Sequence, residues 1–185
     1  MDKEKIEYHI RGILEAIGED PDRPGLLETP KRVANMCGEI FEGISLSNRD
    51  IAERFGKTFD MDYSNEPYIV MKDIMVFSYC EHHMALMYDM TVNVAYVPNG
   101  KVLGLSKIAR ICDMASKRLQ LQEKLGSDIA EIISIAADTD SVGVKIRGSH
   151  SCMTARGIRN VNAKTETKTL LGKFREDERL AALLD

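Results

Sequence analysis

Near the amino terminus the apolar residues recur at helical spacing. Ile6, Ile10, Ile13, Leu14 and Ile17 share one face of a helix drawn over residues 2–18. A loop dense in turn formers follows, Glu19-Asp20-Pro21-Asp22-Arg23-Pro24-Gly25. Thr29-Pro30 then opens a second helix, since Thr caps well and Pro suits the first helical position. That helix is expected to reach Phe41 and stop at Gly43, with a third over residues 48–55.

The pattern turns extended in the middle of the chain. Residues 68–77 and 91–97 are rich in β-branched and aromatic types, which predicts strands. Pro98-Asn99-Gly100 marks a turn. Ser106 is placed to cap a further helix, with Ile108, Ile111, Cys112, Ala115 and Leu119 at helical spacing. Another helix is expected over residues 122–137, then strands over 142–146 and 165–171, and a short polar helix from Arg175. No repeat or long linker divides the chain. Helices followed by strands with helices between them predict one α+β domain over residues 1–185. Within it we expect a helical region at 1–60, a core at 61–174 and a tail at 175–185.

Composition narrows the setting. The chain has 185 residues, 44% hydrophobic and 29% charged, enough for one globular core. No apolar run approaches membrane-spanning length, and the first residues lack the apolar stretch of a signal peptide, so a cytoplasmic location is the default expectation. The net charge of −4 argues against general nucleic-acid binding. The four cysteines are expected to be thiols or metal ligands rather than disulfides.

Candidate chemistry gathers in two short clusters, Cys80-Glu81-His82-His83 and His150-Ser151-Cys152. Cys80 and His83 have the C-x-x-H spacing by which a turn brings two ligands to one ion. His82 and His83 are adjacent, so their side chains should diverge and one of them should ligate. His150 and Cys152 share a face if that segment is extended. Thiolate is the better zinc ligand, which assigns Cys152 to the metal and leaves His150 as an acid or base. Three protein ligands leave a position for water and imply catalysis; a fourth from Glu81, His82 or His150 would make the site structural. His9 is expected to be structural, and Cys37 and Cys112 to be core residues.

Basic residues suggest an anionic ligand. Ser106, Lys107 and Arg110 stand at a predicted helix start, where free N–H groups attract anions. Lys107 and Arg110 are three apart and share a face. Arg156 and Arg159 follow the second cluster, and Arg32 lies early in the second helix. A phosphorylated substrate and a solvated surface are both consistent with charge alone. Gln122 and Glu123 begin a helix; Glu123 either favours that helix end or, with Gln122, reads the edge of a base.

The stretches TPKRVA (29–34), CEHH (80–83), VAYVPNGKVLGLSKIAR (94–110), LQLQEKL (119–125) and HSCMTARGIR (150–159) closely resemble the GTP cyclohydrolase I family, in order and spacing. The resemblance covers about residues 6–174. It implies a T-fold, an antiparallel sheet with helices on one side, preceded by N-terminal helices. It also implies a ring, usually a homodecamer of two pentamers with active sites at subunit boundaries. By that likeness Cys80, His83 and Cys152 would bind one Zn2+ per subunit, and His82, His150 and Ser106 would be catalytic. Glu123 with Gln122 would anchor the guanine of GTP. Lys107, Arg110 and Arg156 would hold the triphosphate, with Arg32 added from a neighbour. The activity implied is hydrolysis of GTP to 7,8-dihydroneopterin 3'-triphosphate and formate, the first step of pterin and tetrahydrofolate synthesis. No nucleic-acid or membrane partner is expected, nor allosteric regulation; the long N-terminal extension of some animal members is missing, so a regulatory partner is less expected. Two features depart from the family. Residues 84–89 replace a common Leu-Leu-Pro-Phe and glycine, and Asn93 stands where many members have His. The other readings are a T-fold nitrile reductase with a nucleophilic cysteine and a nicotinamide cofactor, and a non-catalytic zinc protein.

Overall fold

The computed structural model describes residues 1–61 and 68–185. They form two compact units, Met1–Glu42 and Gly43–Asp185. The first unit holds α1 (Lys3–Ala16) and α2 (Thr29–Ile40), which pack on each other. Asp2 caps α1 by accepting from the Lys5 N–H. Arg11 grips Asp22 through paired hydrogen bonds of 3.0 and 2.7 Å, which fixes the loop after α1. The apolar stripe of α1 exists, yet no α1 residue is buried; Ile13 and Ile17 are exposed. Helix α2 starts at Thr29 with Glu28 in the cap position, so Thr29 is not the cap and Pro30 falls within the first turn. His9 is exposed, its ring edge-on to Tyr8.

A 3-10 turn, Glu42–Ser45, leads into α3 (Asn48–Phe55). That helix starts where it does because Ser47 and Asp50 form a capping box. There follow β1 (Thr58–Asp60), β2 (Ile69–Cys80), β3 (Ala85–Tyr96), β4 (Lys101–Leu103) and α4 (Leu105–Ser116). Then come β5 (Leu119–Gln120), α5 (Gln122–Ala137), β6 (Val142–His150), α6 (Ser151–Thr154) and β7 (Thr165–Leu170). The short helices α7 (Lys173–Glu176) and α8 (Glu178–Ala182) close the chain.

Strands β1 and β4 pair as a small ribbon, and the main sheet has the order β5-β2-β3-β6-β7. Its long pairings are antiparallel; only the two-residue β5 runs parallel, beside Tyr79 and Cys80. The α+β expectation holds. One sheet face packs Ile74, Val76, Met90, Val92, Val94, Val144 and Ile146 against Ile108, Ile111, Ile129, Ile132 and Ile133 of α4 and α5. Each such side chain, fully buried, contributes about 1.5–3 kcal/mol. The opposite face is covered near Ala95 by Phe174 and Leu184 of the tail.

Three further expectations about the elements need correction. Gly104, not Ser106, is the N-cap of α4, and Ser106 sits in its first turn. Leu119 leaves the helical series to join β5. Strand β3 begins at Ala85, earlier than residue 91, because β2 and β6 pair with its first half and impose extension on residues of modest β-propensity.

Candidate metal centre and substrate site

Strand β2 ends at Cys80, and the turn that reverses the chain into β3 carries Glu81, His82 and His83. Met84, with φ 51°, closes that turn. Two backbone bonds hold it: His83 N–H to Cys80 O at 3.4 Å, and Glu81 N–H to the Gln120 carbonyl of β5 at 3.1 Å. Cys80 is buried, while His82 and His83 are exposed, their ring planes 78° apart. The expected divergence of the two rings is therefore present.

The second cluster arrives by strand register. Strand β6 pairs with β3 so that His150 lies opposite Met87, and α6 starts at the next residue. That single turn brings Cys152 back over the sheet end. His150 and Cys152 are thus not on one extended face; the chain turns helical between them. The donor atoms of Cys80, His83 and Cys152 all lie within 4.8 Å of one another. Cys80 Sγ is 4.0 Å from His83 Nδ1. Among the described residues no fourth Cys, His, Asp or Glu joins the group. Burial raises the Cys152 thiol pKa, and the nearby Cys80 sulfur raises it further, partly opposed by the Arg156 charge. Two thiols and an imidazole facing one point are a donor set that suits a borderline-soft divalent cation, which would relieve the sulfur–sulfur repulsion. The other thiols, Cys37 and Cys112, are buried; burial pushes Cys112 up to about 12, so it is an inert core residue as expected.

His150 is half-buried beside this group. Burial lowers its pKa, against the pull of the Glu123 carboxylate. Its Nε2 faces Gln122 Oε1 at 3.0 Å. Gln122 is buried, and its amide nitrogen donates into the sheet toward Ile146 O, Thr165 O and Thr167 Oγ1. Glu123 is exposed at the start of α5 and lines a groove of about 500 Å3 with Ser127, Thr167, Thr169, Leu171 and Arg175. Adjacent residues that the sequence groups together thus point apart: Glu123 toward a groove, Gln122 toward His150.

Arg156 lies against His83 Nε2, a contact the sequence does not announce. Ser106 and Arg110 are exposed on α4, with Lys107 partly so. Neither Lys107 nor Arg110 has an ion-pair partner among the described residues, and no hydrogen bond ties either to the Cys–His–Cys group. Arg159 is exposed with φ 51°, and Arg32 lies on α2 in the first unit.

Fold and site together define an α+β protein with a Cys–His–Cys group able to hold a metal ion. A sequence model of the GTP cyclohydrolase I family matches residues 6–184, and the chain belongs to that family. A GTP cyclohydrolase 1 of Ruminiclostridium cellulolyticum is 59% identical over 184 residues, covering 97% of this chain and 94% of that protein. One from Clostridium acetobutylicum is 57% identical over 187 residues, covering 100% of this chain and 96% of that protein. Among solved structures, an apo archaeosine synthase QueF-Like aligns over 60% of this chain and 97% of that chain, with a TM-score of 0.46 and 19% identity, too distant to bear on the site.

Proposed function

We propose that this chain hydrolyses GTP to 7,8-dihydroneopterin 3'-triphosphate and formate, the entry to pterin and tetrahydrofolate synthesis. The observation that carries the reading is the convergence of Cys80, His83 and Cys152 within 4.8 Å, beside His150, in a member of this family. A zinc ion held by those three residues would supply Lewis acidity and water activation near neutral pH.

The chain's own residues do the rest. His150 holds and returns the proton at a purine ring nitrogen as the five-membered ring opens. Glu123 anchors the guanine edge, which its exposed carboxylate at the groove supports. Lys107, Arg110 and Arg156 hold the triphosphate, and Arg32 adds a contact from a neighbouring chain. His82 and Ser106 assist the Amadori rearrangement of the ribose before the new ring closes. Residues 1–185 act as one functional domain in the cytoplasm, assembled as a homodecamer of two pentamers with sites at subunit boundaries. No nucleic acid or membrane takes part. The strand edges at β2 and β7, unpaired over most of their length among the described residues, support assembly through the sheet.

The test is purified, zinc-loaded protein with GTP, following formate and pterin fluorescence together. Both should appear, and Cys152→Ala should lose bound zinc and both signals. A zinc-loaded wild type that yields neither product would sink the reading. So would a zinc-free Cys152→Ala protein with full turnover.

A further inference from the structure

Gln122 is the first residue of α5 and is 1% exposed. Its amide nitrogen lies 3.2 Å from Ile146 O, 3.1 Å from Thr165 O and 3.2 Å from Thr167 Oγ1. Two of these neighbours are backbone carbonyls, which only accept. The atom facing them must therefore be the NH2 group. The amide flip that often leaves a glutamine ambiguous is closed by that requirement. Oε1 is then fixed on the other side, 3.0 Å from His150 Nε2. An amide oxygen can only accept, so Nε2 must carry the ring proton, and in the neutral ring Nδ1 keeps the lone pair.

Gly148 lies next to this arrangement and makes room for Met90. Residues 148 and 150 share a face of β6. A Cβ at Gly148 would come within 3.5 Å of Gln122 Oε1 and 2.7 Å of Met90 Cγ. The clash is with Met90, while Gln122 Oε1 would stand in ordinary van der Waals contact with such a Cβ.

We propose that Gln122 is a positioning residue: it locks the His150 ring and its Nε2–H tautomer, so that Nδ1 is the atom that exchanges a proton with the substrate. The inference rests on the cyclohydrolase reading only for what that substrate is. It departs from a direct role in binding guanine, because the Gln122 donors and acceptor are spent inside the fold.

The first experiment is nitrogen NMR of the histidine rings in the 15N-labelled, zinc-loaded full chain, with His150 assigned by its loss in His150→Gln. The expected result is a protonated Nε2 and an unprotonated Nδ1 in neutral His150. The reverse tautomer, or an even mixture, would overturn the proposal without any variant at Gln122. The second is GTP kinetics of Gln122→Met, which keeps length and removes the acceptor. It should lower kcat by roughly tenfold to a hundredfold with KM little changed, and scramble the His150 tautomer while zinc stays bound. A raised KM at unchanged kcat would instead make Gln122 a substrate contact and refute the positioning role. The NMR result needs no turnover. A wild type inert toward GTP would count against the cyclohydrolase reading, while the tautomer still decides this one.

Discussion

Asp128 is a buried carboxylate held from several directions. Lys124 Nζ approaches its Oδ2 to 2.7 Å, Gln120 Nε2 to 2.9 Å and Arg118 Nη1 to 3.1 Å, while Asn48 Nδ2 reaches Oδ1 at 3.2 Å. Arg118 also donates to Gly43 O, Leu46 O and Asn48 Oδ1. The network ends at β5, whose Gln120 carbonyl supports the turn bearing Cys80 and His83. Burial alone would raise the Asp128 pKa, but the hydrogen bonds from Gln120, Lys124 and Asn48 outweigh it, and the net direction is down. A lowered folded-state pKa means the contribution is complete above the ordinary carboxylate value and is lost as pH falls through the folded value. Asp128→Ala should cost about 3 kcal/mol, read as a lower urea midpoint near neutral pH. The gap from wild type should narrow as the solution is acidified below the carboxylate range. An equal midpoint at neutral pH would mean the network adds nothing. None of this is legible in the sequence, where Arg118 and Asp128 look like two surface charges. The Cys–His–Cys group is legible, because Cys80, His83 and Cys152 fall in two short clusters whose donor types have few other uses. Gln122 is half legible: the sequence gives its chemistry and its place at a helix start, but not the direction of its side chain.

Among the elements, α3 and α5 occur at the bounds the periodicity predicts. Local signals suffice there: the Ser47–Asp50 capping box at one helix, and at the other an apolar stripe ended by Asp138 in a left-handed conformation, φ 54°. The first half of β3 is hidden because pairing rather than composition makes it a strand. Its register matters most near the site. A one-residue slip between β3 and β6 would turn His150 to the face opposite Gln122. Asn93, one of the departures from the family, has a local role. It accepts from the Asp73 N–H at 2.8 Å, where β2 shifts register, and donates to Leu184 O at 2.7 Å. The tail is further held by Asp185, whose carboxyl is drawn down to about 2 by hydrogen bonds from Lys145 and Lys168. A neutral amide at position 93 therefore joins a strand irregularity to the last residues of the chain.

At the scale of the molecule, the surface of the second unit is unusually apolar in places. Met75 is 73% exposed, Phe77 57%, Ile158 77% and Val161 65%. Residues 69–78 of β2 also lack a strand partner on one side among the described residues. Self-association would cover such features. Light scattering should therefore find a ring-sized particle, and specific activity should fall when dilution drives the assembly apart. A fully active monomer would rule out sites shared between subunits. No helix among the described residues is long and apolar enough to cross a membrane.

The Cys–His–Cys group is mounted on a strand end and a short helix whose sheet already has a dry core, with Ile129, Ile132, Ile133 and Ile146 at 0% exposure. Small zinc domains, by contrast, gain their fold from the ion itself. Here an ion held by the group would be a replaceable part. A chelator should strip it while near-ultraviolet circular dichroism and amide protection of α5 stay unchanged, and cobalt should then enter the empty protein and report its coordination by colour. Loss of the core signals on chelation would mean that the metal holds the scaffold together.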